Sequence, residues 1–170
     1  MLFVRDFPDE ATLLDISRRF SGMDPRAVRT CLALGITTRD MREAFERFLN
    51  EYGLSNGRFL TLVVMYRTPD QDVSPSELAH GVGVTRATMT GLLDGLERDG
   101  LVSRSDDAED RRKKLVRLTP QGRELVQTVI PEHSRRTTRF AACLSVEEWV
   151  TLAALLARLQ TGIEAFDQPK

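Results

Sequence analysis

Arg111-Arg112-Lys113-Lys114 sets four cationic side chains in a row, and upstream Arg86, Ala87, Thr90 and Gly91 recur at helical spacing. Guanidinium and ammonium groups bind phosphate oxygens, and an arginine on a helix can read guanine O6 and N7 in a major groove. A threonine hydroxyl can meet a base edge or a phosphate, an alanine a thymine methyl, and a glycine admits a closely approaching backbone. Other chemistry is sparse. Cys31 and Cys143 are far apart, His80 and His133 stand singly, and neither C-x-x-C nor H-x-x-x-H occurs, so neither a metal site nor a disulfide framework is expected. With no G-x-S-x-G, P-loop or dinucleotide fingerprint, no catalytic residue and no cofactor is assigned. The net charge is −1, so affinity for a polyanion must come from a local basic surface.

Rigid elements must carry these groups, and the stretch from Ser74 to Thr119 predicts them. Ser74 can cap a helix with Pro75 at its first position and Glu77 closing a capping box; that helix should end near Gly81-Val82-Gly83. Thr85 caps a second helix running to about Asp99 and stopped by Gly100. On it Met89, Leu92, Leu93 and Leu96 share a core-facing side, while Ala87, Thr90, Gly91, Asp94 and Arg98 lie opposite with Arg86 at the edge. Leu101–Arg104 and Lys114–Leu118 read as short strands around a polar loop from Ser105 to Lys113. Two short helices and a ribbon make a winged helix-turn-helix. Asp106, Asp107, Glu109 and Asp110 must pair with the loop arginines, since left alone they would repel a phosphate backbone.

The wing carries Asp110-Arg111-Arg112, then three residues, Val116, one residue, Leu118-Thr119, two residues and Gly122. In this pattern the chain resembles the multiple-antibiotic-resistance regulator (MarR) family, from about Arg26 onward. The resemblance implies a mainly α fold with a small β-wing and long terminal helices forming a homodimer. It also implies a repressor of a near-palindromic operator in double-stranded DNA, released by a small aromatic or phenolic acid bound where dimer helices meet the winged lobe. The residues expected at DNA are Ser74, Thr85, Arg86, Ala87, Thr88, Thr90, Gly91, Arg98, Asp110, Arg111, Arg112, Lys113 and Lys114, with Arg112 entering a minor groove and held by a wing carboxylate. Cys31 stands where hydroperoxide-sensing relatives keep a reactive cysteine. Those relatives surround it with tyrosines, and here Phe45 and Asn56 stand instead, so a buried, inert thiol is expected and redox sensing is the alternative to a ligand switch.

At 170 residues and 41% hydrophobic content the chain can bury one compact core with extensions. No apolar run is long enough to span a membrane and Met1–Val4 is too short for a signal peptide, so a cytoplasmic location is expected. A short helix over Ala11–Phe20 precedes a long one from Arg26 to about Tyr52, capped by Asp24 and striped with Leu34, Met41, Phe45, Phe48 and Tyr52. A further helix from Ser55 should bury Phe59, Leu60, Leu62, Val63, Met65 and Tyr66. After the wing, Pro131 should kink or break a helix starting at Thr119-Pro120, and Ser145–Glu148 opens a last helix bearing Trp149, Leu152, Leu156, Leu159, Ile163 and Phe166. These apolar stripes exceed what a small winged domain can cover, so a two-fold homodimer is expected. The organisation is dimerisation helices over 1–54, a winged domain over 55–119 and dimerisation helices over 120–170. An effector pocket is expected beside the long first helix, with Phe45, Phe48, Phe59, Met65 and Tyr66 as walls and Arg39 and Arg42 meeting a carboxylate.

Overall fold

The computed structural model describes residues 10–20, 22–68, 72–106 and 114–166. Among them run α1 (Glu10–Arg19), α2 (Pro25–Asn50), α3 (Asn56–Tyr66), α4 (Pro75–Val82), α5 (Arg86–Arg98), β1 (Val102–Asp106), β2 (Lys114–Leu118), α6 (Pro120–Ala141) and α7 (Val146–Thr161), with a terminal 3₁₀ turn, Ile163–Phe166. The fold is mainly helical with a two-stranded antiparallel wing. The chain forms two compact units, Met1–Gly122 and Arg123–Lys170. No single described helix is long and apolar enough to cross a membrane.

Within the first unit the helix ends are set by local chemistry. Asp24 accepts from the Arg26 amide at 2.9 Å to start α2, and Ser55 accepts from the Arg58 amide at 3.3 Å to start α3. Leu49, Leu54, Leu62, Leu78, Met89, Leu93, Leu96 and Val116 are fully buried. Each such side chain contributes about 1.5–3 kcal/mol relative to exposure. In α3, Leu60 is exposed, contrary to the sequence expectation, and Thr61 is buried in its stead. The Thr61 hydroxyl donates to the Gly57 carbonyl at 2.8 Å, which removes the penalty for burying it.

The wing pairs Val102 with Leu118 through to Asp106 with Lys114. Strand β1 therefore runs two residues beyond the expected Arg104, because the Asp106–Lys114 ion pair closes its last register position. A bridge between Val73 and Val116, with amide–carbonyl distances of 3.1 and 2.9 Å, adds a third stretch to the ribbon ahead of α4.

In the second unit α6 continues through Pro131 as one helix, so the break that this proline could impose does not occur. A lost ladder bond at one proline costs about 3 kcal/mol, and a helix of 22 residues retains enough bonds on either side to outweigh it. Glu132 accepts from Arg135 and Arg136, and their hydrogen bonds hold its carboxyl down at about 2. Ser145 and Glu148 form the expected capping box on α7, and the Trp149 indole N–H donates to the Ala141 carbonyl at 2.7 Å. Beyond that turn Val146, Val150, Leu155, Leu156, Leu159 and Ile163 are exposed.

The last glycine of the wing pattern has a steric reason. A Cβ at Gly122 would lie 2.1 Å from the Leu101 carbonyl oxygen and 2.9 Å from Leu118 Cδ1. Thr119 draws the segments together, its hydroxyl donating to the Gly100 carbonyl at 2.8 Å and accepting from the Gly122 amide at 3.0 Å. Gly122→Ala should destabilise the fold by about 3 kcal/mol; urea unfolding reads this, and an unchanged midpoint would show that the backbone yields freely.

Candidate nucleic-acid interface

The site begins with two capped helices. At α4, the Ser74 amide and hydroxyl donate to Glu77 Oε2 at 2.9 and 2.7 Å, while the Glu77 amide donates back to Ser74 Oγ at 3.2 Å. Hydrogen bonds from the Ser74 side chain, then its amide, hold the Glu77 carboxyl below the usual range. Gly83 takes the left-handed conformation at φ 75°, turning the chain so that Thr85 caps α5. The Thr85 hydroxyl accepts from the Thr88 amide at 3.1 Å and lies 2.9 Å from the Thr88 hydroxyl. Ser74, Thr85 and Thr88 thus fix the helices that form the surface, and their side-chain bonding is largely internal.

Helix α5 divides as its periodicity predicts. Met89, Leu93 and Leu96 are buried and Leu92 is half-buried, whereas Arg86, Ala87, Thr88, Thr90, Gly91, Asp94 and Arg98 are exposed. Leu92 explains Gly57 on α3, since a Cβ there would come within 3.1 Å of Leu92 Cδ2. Gly91 is different: among the described residues nothing beyond its own helix backbone and chain neighbours lies within 4 Å of its Cβ position. Thr90 donates its hydroxyl to the Arg86 carbonyl at 3.0 Å, leaving the oxygen as an acceptor suited to a base amino group more than to a phosphate. Arg86 has no ion pair among the described residues, and Arg98 lies 3.6 Å from Asp99.

Three anchoring pairs escaped the sequence reading. Arg104 on β1 donates to Asp94 at 2.6 Å and lies 3.5 Å from Glu97, tying the wing to α5. Two carboxylates at i and i+3, followed across a glycine turn by a strand arginine, is a signal that could have found it. Arg117 on β2 grips Asp72 with two bonds of 2.9 Å, beside the Val73 bridge. Arg58, largely buried, donates to the Gly53 carbonyl at 3.0 Å, the Gly95 carbonyl at 3.4 Å and the Asp99 carboxylate, fastening the α2–α3 turn to the end of α5. The Arg58 side-chain hydrogen bond holds the Asp99 carboxyl below its ordinary range. On the wing Lys114 is exposed and paired with Asp106, whereas Asp110, Arg111, Arg112 and Lys113 lie outside the described residues.

The residues expected to line an effector pocket sit together in the same unit. Phe48, Phe59 and Met65 are buried, and Phe45 and Tyr66 are half-buried. Phe45 meets Phe48 at a centroid distance of 6.1 Å and Phe59 edge-on at 5.9 Å. Arg39 is engaged by Asp40 at 2.8 Å and Glu43 at 3.9 Å, while Arg42 is exposed without a partner among the described residues. Cys31 is exposed in the single chain, correcting the expectation of a buried thiol; the outer face of α2 has no cover within its own unit.

A capped helix-turn-helix that buries one side of its second helix, offers the other to solvent and leads into a wing defines a winged-helix DNA-binding protein. Residues 54–114 match the model of the MarR family. The HTH-type transcriptional repressor YetL of Bacillus subtilis is 31% identical over 163 residues, covering 96% of this chain and 98% of that protein. The S. aureus MepR–DNA complex shares the fold with a TM-score of 0.69 at 25% identity, covering 77% of this chain and 96% of that one. A probable transcriptional regulator from Pseudomonas aeruginosa gives 0.63 at 28% identity, covering 74% and 95%. The chain belongs to the MarR family of transcriptional regulators.

Arg58→Ala should lower stability by about 2 kcal/mol, since two carbonyls lose a charged donor. Asp99 is depressed in the fold, so its share of the joint is complete above the ordinary carboxylate range and is lost as pH falls through the depressed value. Urea unfolding should therefore show a smaller effect of the substitution in acid than at neutral pH; an equal effect would remove the ion pair from the account.

Proposed function

We propose that the chain acts as a homodimeric repressor that binds a near-palindromic operator and is released by a small aromatic acid. The observation that carries the DNA half is the solvent-facing side of α5, where Arg86, Ala87, Thr90 and Gly91 stand clear of the fold while the opposite side is buried. Arg86 reads guanine, Thr90 accepts from a base amino group, Ala87 meets a thymine methyl, and Arg98 with Lys114 reaches phosphates. Arg111, Arg112 and Lys113 are assigned on sequence alone, Arg112 entering the minor groove with Asp110 orienting it. The role is one of binding rather than catalysis, and it places the protein with the DNA in the cytoplasm.

Dimerisation is supported by the exposed apolar side chains of α7 in one unit and by Leu34 and Met41 of α2 in the other, 39% and 51% exposed. In this reading residues 1–54 and 120–170 meet a second copy and 55–119 form the DNA-binding domain. For the effector, Arg42 is exposed and has no ion pair among the described residues, and Phe45 with Tyr66 forms the accessible edge of the aromatic cluster. A ligand acts by preferring the dimer geometry that does not fit DNA, with a coupling of about 1–3 kcal/mol.

Selection of bound duplexes from random DNA tests the reading. It should return half-sites about one helical turn, roughly 10 bp, apart. Arg86→Ala should lose about 1–3 kcal/mol of operator affinity and relax the preference at one base pair; an unchanged preference would move the recognition face elsewhere. Gly91→Ala should separate stability from binding. With its Cβ position open, alanine should stabilise α5 by about 1 kcal/mol. The added methyl should still weaken operator binding if DNA approaches there, and unchanged affinity would place DNA away from Gly91. Leu156→Glu with Leu159→Glu should yield monomers in sedimentation; a wild-type monomer at micromolar concentration would defeat the dimer. Titration with salicylate-like acids should lower operator affinity, and no release across a panel would leave only the DNA half.

A further inference from the structure

Asp94 occupies an awkward place. It follows Arg86 and Thr90 at intervals of four on α5 and is exposed, its side chain at 58%, so a bare carboxylate there would face an approaching phosphate backbone. Glu97 stands one turn further on, its side chain 41% exposed. Arg104 meets both from β1, at 2.6 and 3.5 Å, with its own side chain only 27% exposed. Its strand register, opposite Val116, places it on the same side of the ribbon as the buried Val102, over the helix.

We propose that Arg104 is a positioning residue for DNA binding whose work is electrostatic: it screens Asp94 and Glu97 from the duplex as it fastens the wing to α5. The proposal rests on the DNA-binding reading above. Exposed ion pairs add little to stability, so a three-member cluster at this spot needs another reason, and a polyanionic partner supplies one. Without Arg104 the interface loses one positive charge and uncovers two negative ones. Arg104 touches no base in this account; it acts through the carboxylates it holds.

The test uses the full-length protein and a duplex that the wild type selects from random DNA. Arg104→Gln should weaken binding at least tenfold at low salt, and most of that deficit should vanish as added salt shortens the screening length. Arg104→Lys keeps the charge and should retain most of the affinity. Asp94→Asn with Glu97→Gln should restore binding in the Arg104→Gln protein. In the wild-type background the same carboxylate pair should raise affinity severalfold, a measurement that does not depend on the arginine variant folding. A deficit that persists at high salt, no rescue by the neutralised carboxylates, or a fall in affinity when they are neutralised alone would each overturn the proposal. If the wild type retained no duplex, the DNA reading would fail and this inference with it; if it bound and the variants behaved otherwise, only the inference would fall.

Discussion

Helix α5 must be held firmly from one side only, and the rest of the winged unit follows from that requirement. A helix of 13 residues is marginal in isolation, and two interior glycines weaken it further. Burial of Met89, Leu93 and Leu96 supplies the missing stability from beneath, against a core that includes Leu62 and Leu78. Both ends are then fixed by polar anchors. Thr85 caps the first turn, and Arg58 binds the Gly95 carbonyl and Asp99 at the last. On the exposed side Asp94 is tied to Arg104 of β1, and Arg86, Ala87, Thr90 and Gly91 are left facing solvent.

The second constraint is charge. A chain with net charge −1 that binds a polyanion must keep its carboxylates occupied near the contact surface. Among the described residues of the winged unit, Asp72 is taken by Arg117, Asp94 and Glu97 by Arg104, Asp99 by Arg58, and Asp106 by Lys114. Glu77 is spent in the α4 capping box. Each exposed pair is worth at most about 1 kcal/mol to stability, so their collective effect lies in the field they leave outside the protein. Arg86 stands outside these pairings, at the N-terminal end of α5 where the helix dipole adds to its charge.

What was legible in the sequence was local. Ser74, Gly83, Thr85 and Gly100 set helix ends through bonds a few residues long, and the faces of α5 followed from a period that its sparse leucines obey cleanly. Helix α3 gave no such guidance. Its sequence is apolar almost all round, so its periodicity does not select a face, and Thr61 is tolerated inside in place of Leu60 because its hydroxyl bonds the Gly57 carbonyl. The anchoring arginines were hidden for a different reason. Arg58 and Asp99 are 41 residues apart and Arg117 and Asp72 are 45 apart, distances at which no pattern of spacing selects one charge partner over another. The glycine that ends the wing pattern belongs to both classes. Its place is visible in the sequence, but the reason, a Leu101 carbonyl passing where a methyl would be, exists only once β1 and the start of α6 have been folded together.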